Sequence, residues 1–176
     1  MNIVLFGIKG SGKTTFGKQL ATKTKRAFID TDHLIEEVYQ INRQKKLTCR
    51  QIYEEVGPVA FRGFEYEAIQ SLQDVQNSVI AVGGGAMLLH ENVDALKKNS
   101  HLIYLVFDRE ALKKRVLAED PLPTFIDSKK PEASFDKMYD ERDDFYKKIG
   151  AQELNVTSMK NDAVIKKICE ITKHGK

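Results

Sequence analysis

One stretch near the start of the chain constrains its fold more than any other. Gly7-Ile8-Lys9-Gly10-Ser11-Gly12-Lys13-Thr14 matches G-x-x-x-x-G-K-[ST] at every position. Its surroundings are those that the motif requires. Ile3-Val4-Leu5-Phe6 before it reads as a buried strand, and residues 13–24 after it carry Phe16, Leu20 and Ala21 at helical spacing. Glycines let successive backbone N–H groups turn inward around a phosphate with no Cβ in the way. The helix that follows adds unpaired N–H groups and the positive end of its dipole. Lys13 is then placed to reach the β- and γ-phosphates, and the Thr14 hydroxyl to ligate Mg²⁺. A glycine-rich turn can be purely structural, but the complete motif in this context reads as nucleotide binding.

The rest of the chain repeats the alternation of strand and helix. Residues 27–29 are a short apolar run that leads into Leu34, Ile35 and Val38 at helical spacing. Thr48 with Gln51 forms a capping box ahead of Ile52 and Val56. Pro58 then starts a helix that runs to about Asp74 through Phe61, Phe64, Ala68 and Leu72. Residues 78–82 and 101–107 are the clearest remaining strands, and 153–156 is a weaker fifth. Apolar strands separated by helices imply a parallel sheet covered on both faces. Residues 119–131 interrupt the rhythm with Pro121, Pro123 and Pro131, which predicts a lid or a disordered loop. No repeat or linker divides residues 1–176, so a single domain is expected.

Composition narrows the partners. A chain of 176 residues buries about 70% of its unfolded surface, enough for a core without disulfides. A net charge of +3 with no basic block argues against nucleic acid. No apolar run approaches the ~18 residues of a membrane span, and the start has no signal-peptide pattern, so a cytoplasmic protein is expected; a monomer is the default assembly. Cys49 and Cys169 read as free, idle thiols. His33, His90, His101 and His174 lack metal-ligand spacing.

The remaining motifs concern what receives the phosphate. There is no Asn-Lys-x-Asp segment to read guanine, and the strand at 78–82 ends in Gly83-Gly84-Gly85 instead of the acid pair of ATP-driven motors. Asp30-Thr31-Asp32 sits at a strand end, where open α/β sheets put ligands. One of its carboxylates can hold Mg²⁺ through water while the other receives a substrate proton; the structural alternative is a helix N-cap and a surface acid. Arg62 and Glu65 lie on neighbouring helical turns, either as an exposed ion pair or as a carboxylate-binding fork held in place. Three glycines can form a tight turn or let the backbone approach a ligand. Arg142 offers a second fork on a late helix.

In this order the pieces resemble shikimate kinase: residues 7–15, Asp30-Thr31-Asp32, Phe61-Arg62-Gly63-Phe64-Glu65, Gly83-Gly84-Gly85 and Glu141-Arg142-Asp143-Asp144-Phe145-Tyr146. The resemblance implies a P-loop α/β fold like that of nucleoside-monophosphate kinases, with five parallel strands and a lid. It implies ATP and Mg²⁺ as cofactors and the 3-hydroxyl of shikimate as acceptor. Lys13 and Asp32 would be catalytic. Gly10, Ser11, Gly12, Lys13, Thr14, Thr15 and Arg115 would hold the nucleotide, and Thr14 and Asp30 the metal. Asp32, Arg62, Gly83, Gly84, Gly85 and Arg142 would hold shikimate. The alternatives are a gluconate-type or nucleotide kinase, or a catalytically weak nucleotide-binding relative. One segment departs from the family pattern: its lid arginine is replaced by Asp120 in Glu119-Asp120-Pro121-Leu122-Pro123. The expectation is that this acid faces the triphosphate and that Lys113, Lys114 or Lys129 supplies the missing charge.

Overall fold

The computed structural model describes residues 1–173; His174 lies outside them. Five parallel strands, β1 (Asn2–Phe6), β2 (Ala27–Asp30), β3 (Ser78–Ala81), β4 (Ser100–Val106) and β5 (Gln152–Asn155), form one sheet in the order β2-β3-β1-β4-β5. The helices are α1 (Lys13–Thr24), α2 (Thr31–Arg43), α3 (Cys49–Gln70), α4 (His90–Lys97), α5 (Arg109–Leu117), α6 (Pro131–Lys148) and α7 (Asn161–Lys173). A single 3₁₀ turn, Ala86–Leu88, follows the glycine run. Strand ends differ from the sequence expectation by only a residue or two, the usual fraying of element boundaries.

β1 is buried along its whole length because helices cover both faces of the sheet. Its alternation sorts the core. Ile3 and Leu5 pack with Leu20 of α1 and Ile165 and Ile168 of α7. Val4 and Phe6 face the other way, towards Val93, Leu96, Met138 and Tyr146. Each such side chain contributes roughly 1.5–3 kcal/mol on leaving water. A third cluster, with Ile35, Tyr39, Ile52 and Phe61, joins α2 to α3.

The α2–α3 region refines the expectation. Both halves of the Thr48–Gln51 capping box form. The backbone breaks at Gly57, with φ 77° and ψ 170°, and Pro58 opens the second half of α3. That half ends at Gln70 and not near Asp74: the N–H groups of Leu72 and Gln73 bond three residues back, to Ile69 and Gln70, so the final turn tightens and stops. The second half carries Arg62 and Glu65 towards the carboxyl ends of β2, β3 and β1.

Candidate active site

Loops at those carboxyl ends line a cleft of about 610 Å³, at the edge where open α/β sheets bind ligands. After β1 the chain turns through Gly10 and Gly12 at φ 87° and 93°, a region that side chains rarely enter. Helix α1 starts at once with Lys13, whose Nζ donates to the carbonyls of Gly7 (3.0 Å) and Ile8 (3.2 Å). Burial pulls this ammonium down to about 8, against the attraction of Asp32 and Asp30. Gly10, Gly12, Lys13, Thr14 and Thr15 all line the cleft. Ser11 does not: its side chain is buried beneath the turn and its N–H donates to Ile8 (3.1 Å).

After β2, Asp30 does two things at once. One carboxylate oxygen caps α2 by accepting from the Asp32 N–H (3.2 Å), and the other accepts from the Thr14 hydroxyl (3.0 Å). The cap is therefore formed, and it leaves the second oxygen of the same side chain facing Thr14. A hydroxyl beside a carboxylate is a hard-oxygen donor set that suits Mg²⁺ with water completing its shell. Asp32 lines the cleft with its residue surface exposed, and desolvation by the cleft walls, reinforced by the charge of Asp30, raises its carboxyl above the usual range.

The glycine run after β3 makes room for three side chains in succession. A Cβ on Gly83 would stand 2.8 Å from Asp32 Oδ1, and one on Gly84 would stand 3.0 Å from Arg142 Nη1. A Cβ on Gly85 would overlap the Arg62 guanidinium. None of the three has a left-handed φ, so they serve space and not backbone conformation. The run is pinned from behind. Its Gly83 N–H donates to Thr31 Oγ1 (3.0 Å), the Tyr146 hydroxyl donates to the Gly84 carbonyl, and Asn92 Nδ2 donates to the Ala86 carbonyl (3.0 Å).

Two guanidinium groups thus converge on one strip of backbone. Arg62 is held by Glu65 at 2.5 Å; the acid is only 3% exposed, while the Arg62 side chain keeps 40% of its surface open, so the pair is anchored on its buried acid. Burial raises the Glu65 carboxyl, with Arg62 opposing. Arg142 is 8% exposed and, among the described residues, has no ion-pair partner. Burial lowers it, and the nearby Arg62 charge adds to the effect. A buried cation left without an acid is costly, and an anionic ligand would relieve it.

Residues 118–130, between α5 and α6, form a loop that contributes Glu119, Pro123, Thr124 and Phe125 to the lining of the cleft. Among the described residues, three cationic side chains touch the loop: Lys9 pairs with Glu119 (3.0 Å), Arg50 Nη1 donates to the Pro121 carbonyl (3.0 Å), and Arg142 lies 4.8 Å from the Phe125 ring centre. Phe125 packs against Arg142 and also lines the cleft, while Tyr139 packs beneath Arg109. Two expectations about this loop need correction. Asp120 lines an adjoining groove and not the cleft; the loop acid that does line it is Glu119. Lys113 is bound to Asp136 at 2.8 Å, and neither it nor Lys114 nor Lys129 lines the cleft. Arg115 does, with Nη1 on the Gly10 carbonyl (2.9 Å) and its guanidinium over the Phe107 ring (4.2 Å).

Sequence reasoning overlooked Lys9, Cys49, Arg50 and Tyr53 as cleft residues. Lys9 occupies a free position of the phosphate motif, and the other three sit on the first turns of α3, which nothing in the sequence ties to the cleft. Cys49 donates from Sγ to the Asp32 carbonyl (3.1 Å) and from its N–H to Glu36 (3.0 Å). Burial pushes its thiol far up, so it braces α2 and is no nucleophile.

Sheet order, phosphate loop and the acid facing that loop define a P-loop kinase related in fold to the nucleoside-monophosphate kinases. The chain belongs to the shikimate kinase family, which it matches over residues 9–173. It is 35% identical over 172 residues to the shikimate kinase of Pelotomaculum thermopropionicum, covering 98% of this chain and 95% of that one. A shikimate kinase from Acinetobacter baumannii, solved in complex with shikimate, aligns with a TM-score of 0.85 at 28% identity over 99% of this chain and 95% of its own. A gluconokinase from Sinorhizobium meliloti, at 15% identity and a TM-score of 0.60 over 98% of this chain and 93% of its own, shares the fold alone. Membership makes the chain an ATP-dependent phosphotransferase with an alcohol as acceptor, and the gluconate-type alternative is not favoured. Among the described residues, no helix is long and apolar enough to cross a membrane.

Proposed function

We propose that this chain transfers the γ-phosphoryl group of ATP to the 3-hydroxyl of shikimate, giving shikimate 3-phosphate and ADP. In this reading it works in the cytoplasm as a monomeric single domain, residues 1–176, with residues 119–131 as its lid. One observation carries the reading: the Arg62 and Arg142 guanidinium groups meet at Gly83–Gly85 beside Asp32, in the cleft that Lys13 also lines. Shikimate is a small triol with one carboxylate. Paired cationic forks suit the carboxylate, and an aspartate suits the hydroxyls.

The roles follow from charge and position. Lys13, with Gly10, Gly12, Thr14 and Thr15, takes the phosphates, and Ser11 completes the turn from below. By resemblance to the family, Arg115, held against the Gly10 carbonyl, would lie near the nucleotide base. Arg62 and Arg142 fix the carboxylate, which brings the 3-hydroxyl to Asp32. The hydroxyl oxygen then bonds to the γ-phosphorus as the bond from that phosphorus to the ADP oxygen breaks, and the hydroxyl proton passes to Asp32. The raised carboxyl of Asp32 favours that last transfer. Positioning and charge neutralisation supply most of the rate in such transfers, so Asp32 acts as much by aiming the hydroxyl as by accepting its proton. Mg²⁺, held by Thr14 and Asp30, would neutralise the phosphate oxygens.

A coupled assay of ADP release tests the reading, with shikimate, gluconate, nucleoside monophosphates or no acceptor. The expected result is sustained release with shikimate and little with the others. Equal release without an acceptor, or with gluconate in its place, would overturn it.

A further inference from the structure

The loop over the cleft brings no cation to it. Its cleft-lining residues are Glu119, Pro123, Thr124 and Phe125. Transfer of a phosphoryl group nevertheless spreads negative charge over the terminal oxygens, and opposing that charge is the largest service an active site can offer. Apart from Lys13 of the phosphate cradle itself, the other cations lining the cleft are engaged elsewhere. Arg62 is held by Glu65 (2.5 Å), and Arg142 lies against Phe125 at the acceptor end. Arg50 donates to Glu54 (2.9 Å) and to the Pro121 carbonyl (3.0 Å), and Arg115 to the Gly10 carbonyl (2.9 Å).

Lys9 differs from all of these. It stands within the phosphate loop, between Gly7 and Lys13, and lines the cleft with its side chain 44% exposed. Its ion-pair partner among the described residues is Glu119 of the covering loop, at 3.0 Å.

We propose that Lys9 is a catalytic residue: its ammonium leaves Glu119 and binds the terminal phosphate of ATP, supplying from the phosphate loop the positive charge that the covering loop lacks. Glu119 is then a parking site for that ammonium, and exchange between carboxylate and phosphate links nucleotide occupancy to the contact that holds the loop down. A flexible stem with a compact charge suits such an exchange better than a rigid fork. The proposal rests on the kinase reading but not on the identity of the acceptor.

The test compares Lys9→Met, Lys9→Arg and Glu119→Gln with the parent chain by calorimetry with Mg²⁺ and either ADP or a non-hydrolysable ATP analogue, followed by turnover. For Lys9→Met, affinity for the analogue falls roughly tenfold while ADP stays within about twofold, and kcat drops roughly 10- to 100-fold. Lys9→Arg keeps most of the turnover. Glu119→Gln frees the ammonium and tightens the analogue roughly two- to fivefold. Equal losses for ADP and analogue in Lys9→Met, or no loss for either, would overturn the proposal; Glu119→Gln keeps it testable should Lys9→Met fail to fold, and weaker or unchanged analogue binding there would overturn it. If the parent chain discriminates analogue from ADP through Lys9 yet does not phosphorylate shikimate, the acceptor reading fails and Lys9 stands.

Discussion

The two halves of the cleft are built in opposite ways. The phosphate half comes from one stretch, residues 7–15, in which backbone turn, lysine and hydroxyl follow one another. The acceptor half is assembled from four places: Asp32 on α2, Arg62 on α3, the glycines after β3 and Arg142 on α6. The first half needs only a strand before it and a helix behind it. The second exists only if α2, α3 and α6 all dock on the same sheet edge, and its three glycines are the shared surface on which they meet. Damage to either half should therefore leave a different signature: loss of nucleotide in one, loss of acceptor with intact nucleotide binding in the other.

Asp32→Asn gives the largest effect, because Asp32 faces both halves. It should lower kcat roughly 10²- to 10⁴-fold while ATP and shikimate both still bind. Rapid-quench or steady-state turnover checks it; near-normal kcat would remove Asp32 as the base. Gly85→Ala comes next. The added methyl would displace the Arg62 guanidinium, and a misplacement of that order costs roughly 10²-fold. That cost should appear in kcat/KM for shikimate and not in ADP affinity. Equal losses for both ligands would blur the division drawn here.

The pH dependence of kcat/KM is the gentlest probe, since it reports groups of the free enzyme. Asp32 must be ionised, and its carboxyl is raised, so the acid limb should lie above the ordinary value of about 3.9. Lys13 must be protonated, and burial brings it to about 8, so kcat/KM for ATP should decline as pH rises through that value. Asp32→Asn should abolish the acid limb and leave the basic one. A profile flat from neutrality to pH 10 would contradict the lowered ammonium of Lys13.

The same contrast explains what could be read from the chain beforehand. The phosphate loop, the alternation of strands and helices, the capping box at Thr48 and the restart of helix at Pro58 are all local, and each appears where the sequence implies. Arg62 with Glu65 was legible as a pair, but its burial was not, because that depends on α3 packing against α2. The glycine run was legible as special, though for another reason: it suggested a backbone approaching ligand, and its first effect is to admit Asp32, Arg142 and Arg62. The loop was the least legible part. Which of Glu119 and Asp120 turns inward is decided by contacts with Lys9 and Arg50, remote in sequence. Cys49 passed as idle because its partners, Asp32 and Glu36, lie across a helix–helix interface.

The central claim is that guanidinium groups gathered on the glycine run hold the acceptor's carboxylate. Titration calorimetry of Arg62→Ala with shikimate, and separately with Mg²⁺ and ADP, addresses it most directly. A charge-assisted fork of this kind is worth roughly 1.5–3 kcal/mol, so shikimate affinity should fall roughly 10- to 100-fold while ADP binds as before. Unchanged shikimate affinity in that variant, with the protein still folded, would contradict the account.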